Sequence, residues 1–222
     1  MNNSPERRVR RCFVTGVDDR DAPVETEETF QFLETEKERD AALLDFFKNL
    51  VEKHGTNFDT FPRTVIFVKD SINIGRRVKS IIQYGAGMYG PHVIDSEGKK
   101  QALQDTIEQF NEKHFPILIA RTNIHFSTRF SEVSNVIFYN LPDHFGTYPF
   151  YAQLYDDDQY NKPKKVISYV NVEDYEFFKD TLQDAERKEK GTEKYQPIFD
   201  ILKPLYDALP KPNYDSDDDY DY

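Results

Sequence analysis

Three short runs govern what this chain can fold into: Thr64-Val65-Ile66-Phe67-Val68, Pro116-Ile117-Leu118-Ile119-Ala120 and Asn135-Val136-Ile137-Phe138-Tyr139. Each is apolar almost throughout, where a half-solvated strand would alternate. A strand of that kind needs cover on both of its faces. The segments between supply the cover at helical spacing. Ile74, Val78, Ile81 and Ile82 form one stripe behind a cap at Asp70 or Ser71. Leu103, Ile107 and Phe110 form another in a helix expected from Ser96 to about Lys113. Strands that alternate with helices imply right-handed crossovers. The expected fold class is therefore α/β, a single domain with a parallel sheet and helices on both faces.

The flanks fit the same plan. Residues 29–33 read as a strand, and 36–53 as a helix with Ala41, Leu44, Phe47 and Val51 inward. Gly85, Gly87 and Gly90 open a turn before a short strand at 92–94. Residues 165–169 predict a fourth buried strand. Asn171 then caps a helix with Asp174 in its first turn and Tyr175, Phe178 and Leu182 inward. A last amphipathic helix spans 198–209 and stops at Pro210 and Pro212. A short strand is expected at 13–17.

The length, 222 residues, fits one domain with tails. We divide it into a basic arm at 1–12, an α/β body at 13–209 and an acidic tail at 210–222. Arg7, Arg8, Arg10 and Arg11 cluster in the arm, as a nuclear-import signal, an RNA-touching arm or a plain linker would. The tail sets Lys211 against Asp215, Asp217, Asp218, Asp219 and Asp221. Net charge is −11, which opposes generic attraction to nucleic-acid phosphates. No apolar stretch approaches the roughly 20 residues that span a bilayer. The first residues are polar and arginine-rich, so the expected location is intracellular, in the cytoplasm or the nucleus. One cysteine, Cys12, excludes a disulfide framework and a multi-cysteine zinc site. The five histidines form no pair at metal-ligand spacing, and no metal or cofactor is expected.

From residue 64 onward the sequence resembles the C-terminal, second RecA-like lobe of DEAD-box RNA helicases, nearest the Vasa-like branch. TVIFVK at 64–69 is similar to that family's TLVFVE. Gln109-Phe110 followed by PILIA at 116–120 is similar to its QF and PILVA. EVSNVIFYNLP at 132–142 is similar to NVSHVINYDLP. Upstream, 29–47 resembles the segment VVWVEE and KRSFLLDLL, and 13–17 faintly echoes the inter-lobe segment. The resemblance covers about residues 13–185, and its specificity lies in the order and spacing of the pieces.

What the resemblance implies for chemistry turns on departures. Family enzymes write ATD and ARGLD between the two buried strands, in a loop that grips RNA and nucleotide. Here Arg121-Thr122-Asn123 replaces TDV, Phe126 stands at the arginine and Arg129 at the ribose-contacting aspartate. The family's HRIGRTGR falls on FYAQLYDD at 150–157. Phe150 replaces the histidine and Tyr151 the first arginine. Leu154 and Asp157 replace the two transition-state arginines. Arginine fingers contribute about 10³ to 10⁵ in rate to phosphoryl transfer. Leucine donates nothing, and an aspartate beside Asp156 and Asp158 repels a triphosphate. The sequence also contains no GxxxxGKS or GxxxxGKT phosphate loop and no DEAD box.

The expectation is a free-standing, non-catalytic helicase-like lobe that docks protein partners in ribonucleoprotein complexes. An RNA-binding accessory lobe and half of a split helicase are the alternatives, with RNA contact the weaker expectation. Arg121 and Arg129 either hold a phosphate or pair with the Asp156 to Asp158 run and close the cleft; the second is favoured. Tyr148, Phe150, Tyr151 and Tyr155 either pack on the sheet or form an exposed protein-binding patch, with Tyr148 and Tyr155 the candidate contacts.

Overall fold

The computed structural model describes residues 11–14 (backbone only), 26–69, 71–94, 100–122, 130–143, 148–152, 165–179 and 195–209. Its centre is built from the three apolar runs. They form β3 (Thr64–Val68), β5 (Ile117–Arg121) and β6 (Asn135–Phe138), with every residue buried. β3 lies between the other two in parallel register, Val65 opposite both Leu118 and Val136. β2 (Glu27–Phe32) and β7 (Lys165–Val170) extend the parallel sheet on one side, and β4 (His92–Val93) ends it on the other. β1 (Arg11–Val14) adds the far edge. The order is β1-β2-β7-β6-β3-β5-β4. β1 runs antiparallel to β2, so the expected parallel sheet carries one antiparallel edge strand, and Arg11 and Cys12 belong to that strand.

Alternation along the central strands sorts the core into two layers. Val65, Phe67, Leu118, Ala120, Val136 and Phe138 face one side. That side is covered by α3 (Lys100–Asn111), α4 (Tyr148–Ala152) and α5 (Gln196–Asp207). Ile66, Val68, Ile117, Ile119 and Ile137 face the other, where α1 (Glu36–His54) and α2 (Ile72–Ser80) pack. Helices thus cover both faces, as two-sided burial demands.

α1 begins at a capping box. The Thr35 hydroxyl accepts the Glu38 N–H at 3.2 Å, and the Glu38 carboxylate accepts the Thr35 N–H at 3.1 Å. It ends at Gly55, whose φ of 70° suits glycine. Its buried residues are Leu43 and Phe47, with Leu44 and Val51 half-buried and Ala41 exposed. Leu43 takes the inward place expected of Leu44, which packs beside the turn at Gly85, where an added Cβ would stand 2.7 Å from Leu44 Cδ1. α2 continues into a wider helical turn, Ile81–Gly85. Ser71 precedes α2 without capping it through its side chain. Asp70, Ser96 and Leu182 lie outside the described residues. Asn171 caps a tight turn at Val172–Asp174 that runs on into a helix at 175–179.

One buried cation fastens the amino-terminal edge. The Arg63 guanidinium donates to the carbonyls of Ser131 and Phe110 and lies 4.2 Å from the centre of the Phe110 ring. It joins the residue before β3 to the end of α3 and to the chain entering β6. Ser134 and Asn135 return N–H bonds to the Arg63 carbonyl at 2.9 and 3.1 Å. Burial lowers the Arg63 pKa, and Glu132 opposes that fall. Removing the guanidinium takes the Arg63 donor from the half-buried Ser131 carbonyl and one of two donors from the buried Phe110 carbonyl, which also accepts the Lys113 N–H. Arg63→Ala is expected to lower stability by about 1–3 kcal/mol in urea unfolding, and Arg63→Lys to recover only part of it.

Candidate functional site

In open parallel sheets, ligands bind beyond the carboxyl ends of the strands. Here that edge is assembled by short links from one strand end to the next. The Tyr139 N–H donates to the Phe67 carbonyl and the Thr122 N–H to the Val68 carbonyl, both at 2.9 Å. The Asn140 side chain accepts the Lys69 N–H at 3.2 Å. The edge therefore carries Lys69 after β3, Arg121 and Thr122 at the end of β5, Tyr139 and Asn140 after β6, and Asn171 after β7. Arg121 and Thr122 are only 8% and 7% exposed.

Asp174 stands among these groups. Its carboxylate accepts the Asn171 N–H at 2.9 Å, and the Asn171 side chain accepts the Glu173 N–H at 3.0 Å. Burial pushes the Asp174 carboxyl up to about 6, against the Asn171 hydrogen bond and the charges of Lys69 and Arg39. A second network ties the edge to the helices. The Tyr139 hydroxyl donates to Asp40 at 2.6 Å, and Arg77 donates to Asp40 at 3.1 Å while pairing with Glu36. Burial, then the bond to Asp40, pushes the Tyr139 hydroxyl well above its ordinary range.

α4 occupies the sheet face. Tyr151 is buried, its ring 4.8 Å from that of Phe67. Tyr148 is buried with its ring 4.7 Å from Phe138 and 6.1 Å from Phe30. Its hydroxyl donates to Glu28 at 2.6 Å and lies 3.0 Å from the Ser168 hydroxyl. Burial foremost, with the Glu28 charge behind it, keeps the Tyr148 hydroxyl protonated. This corrects the expectation of Tyr148 as a partner-contacting residue: its ring completes the core, and its polar end is used internally. Glu28 and Ser168 are the partners that sequence reasoning missed. A hydroxyl inside the apolar run Val166-Ile167-Ser168-Tyr169-Val170 was the available signal. The backbone of Phe150 lies in α4. The side chain of Phe150, and all of Arg7, Arg8, Arg10, Phe126, Arg129, Leu154, Tyr155 and Asp157, lie outside the described residues. The same holds for Asp156 and Asp158, so the pairing expected for Arg121 and Arg129 is untested.

No protein-family model matches the chain, and no curated protein matches its sequence. Solved structures do match. Domain 2 of the DEAD-box helicase Mss116p, bound to an RNA duplex, aligns at a TM-score of 0.56 and 13% identity over 70% of this chain and 58% of that one. The RNA helicase Prp28 from Chaetomium thermophilum, bound to ADP, aligns at 0.56 and 16% over 77% and 39%. Escherichia coli SrmB, a DEAD-box protein bound to regulator of ribonuclease activity A, aligns at 0.50 and 16% over 67% and 79%. The fold is that of the second RecA-like lobe of a DEAD-box helicase. This chain thus spans little more than half of the Mss116p domain and well under half of Prp28.

The described edge offers Lys69, Arg39 and Arg121 as cations and Asp40 and Asp174 as acids. No group of three or more His, Cys, Asp and Glu among the described residues could hold a metal ion. No described helix is long and apolar enough to cross a membrane.

Two outcomes follow for this region. With its pKa raised, the Asp174 carboxyl favours the fold when neutral. That contribution is full below about 4 and is lost as pH rises through about 6. Asp174→Asn keeps the acceptor and removes the titration. The variant should gain roughly 2–3 kcal/mol over wild type at pH 7 and nothing at pH 4, read by urea melts across pH. Tyr148→Phe leaves Glu28 without its hydroxyl donor and should cost about 1–3 kcal/mol.

Proposed function

We propose that this lobe is a non-catalytic, helicase-like docking module that works in RNA metabolism. The observation that carries the reading is the burial of Tyr151. On the resemblance to HRIGRTGR it takes the place of an arginine, and its ring is spent on Phe67 in the core. A buried tyrosine brings no positive charge to a phosphoryl group. The sequence continues the substitution with Leu154 and Asp157 at the two transition-state arginines. A triphosphate meeting Asp156-Asp157-Asp158 is repelled, whereas arginine is what stabilises transferring charge.

The docking half of the reading rests on what the lobe keeps. Its two-sided core and edge networks make a rigid α/β body. A solved relative by fold, SrmB, is bound to a protein regulator, and Mss116p domain 2 to an RNA duplex. Net charge of −11 favours the first kind of partner over the second.

Two assays test this. ATP turnover by the full chain, with magnesium and RNA, is expected to stay at the no-enzyme rate; RNA-stimulated turnover would contradict the non-catalytic reading. Native complexes isolated with and without RNase are expected to retain the same protein partners. Loss of every partner on RNase treatment would replace docking with RNA association.

A further inference from the structure

The side of the lobe bearing α1 and α2 has a feature that neither the core nor the strand edge uses. The chain leaves α2 through the wide turn Ile81–Gly85 and then the segment Ala86-Gly87-Met88-Tyr89-Gly90. Met88 is fully buried, but Tyr84 and Tyr89 on either side of it are 77% and 65% exposed. These are the two most exposed large apolar side chains among the described residues.

The turn is held in shape from beneath. A Cβ on Gly85 would stand 2.7 Å from Leu44, and one on Gly90 would stand 2.6 Å from Phe58. Gly87 and Gly90 have φ of 69° and 102°, backbone that other residues rarely adopt. With Met88 as anchor, the two tyrosines are displayed on a backbone ordered before any partner arrives, which reduces the entropy lost on binding.

The helix that delivers the turn adds charge. Val78 and Ile82 point into the core, so Arg76, Ser80 and Tyr84, four residues apart, line the opposite face. Arg76 is exposed and Lys79 half-buried, and neither forms an ion pair with a described residue. Tyrosine and arginine are enriched among the residues that carry binding energy at protein interfaces.

We propose that Tyr84 and Tyr89, with Arg76 and Lys79, form a docking surface for a short acidic peptide segment bearing an apolar anchor residue. This rests on the docking-module reading and names its surface. Charge selects the occupant. Two local cations suit the carboxylates of a short segment within a Debye length of about 8 Å. A long polyphosphate would also meet the field of a chain whose net charge is −11.

The test begins with selection of random peptides of about twelve residues on the immobilised full chain. Selected peptides are then synthesised and titrated by fluorescence anisotropy at low and high salt. The expected winners carry several Asp or Glu beside a Phe, Tyr, Leu or Ile, and bind more weakly as salt rises. Binding should fall about tenfold or more in Tyr84→Ala and in the double variant Arg76→Glu, Lys79→Glu. It should persist in Arg76→Lys, Lys79→Arg. Circular dichroism confirms that each variant is folded. Failure to select peptides, selection of non-acidic ones, or affinity indifferent to these substitutions would overturn the proposal. So would oligouridine binding that the same substitutions abolish, which would give the surface to RNA. If native partners bind the variants unchanged, this surface falls while the docking-module reading stands.

Discussion

β3, β5 and β6 have no face left for water, and most of the structure follows from that. Strands buried on both sides need helices above and below, and parallel strands need those helices as their crossovers. The helices then leave one edge, at the carboxyl ends of the strands, where loops meet and side chains converge. In this chain the edge is tied together by backbone bonds from Tyr139 to Phe67 and from Thr122 to Val68, with the Asn140 side chain on the Lys69 N–H. The opposite edge is fastened by the Arg63 guanidinium on the carbonyls of Ser131 and Phe110. A rigid scaffold of this kind persists when the chemistry at its edge changes, because the core does not depend on the catalytic side chains.

α4 shows what aromatic residues do at this place in the sheet layer. An arginine at position 151 would bring a charge against Phe67, inside the layer that also holds Phe138 and Phe30. A tyrosine there adds apolar area and ring contacts instead. Tyr148 does the same, and a buried site tolerates its hydroxyl only when it is paired. Glu28 and Ser168 meet that need from β2 and β7. The Tyr148 hydroxyl meets the buried Glu28 carboxylate, so three segments distant in sequence come together here.

The parts legible in the sequence were those set by local periodicity. Continuous apolar runs gave the central strands, and the cap at Asn171 falls where its residue type favours it. The rotation of α1 was hidden, because adjacent leucines at 43 and 44 suit the inward face equally by residue type. The same limit applied to α4. Its aromatic composition was plain, but only the placement of Phe67, Phe138 and Phe30 makes Tyr148 and Tyr151 core residues. Arg63 gave no signal, since an arginine before a strand ordinarily faces solvent. The display of Tyr84 and Tyr89 was likewise unreadable, because the glycines between them mark a turn without saying which side chains it turns outward.

On the proposed non-catalytic reading, the carboxyl edge serves no nucleotide. The most direct measurement is the set of backbone amide chemical shifts of the full chain during titration with a magnesium-bound, non-hydrolysable ATP analogue. No saturable movement is expected at Lys69, Arg121, Thr122 or Asn140 up to millimolar concentration. Saturable shifts clustered on those residues would show a working nucleotide site and contradict it.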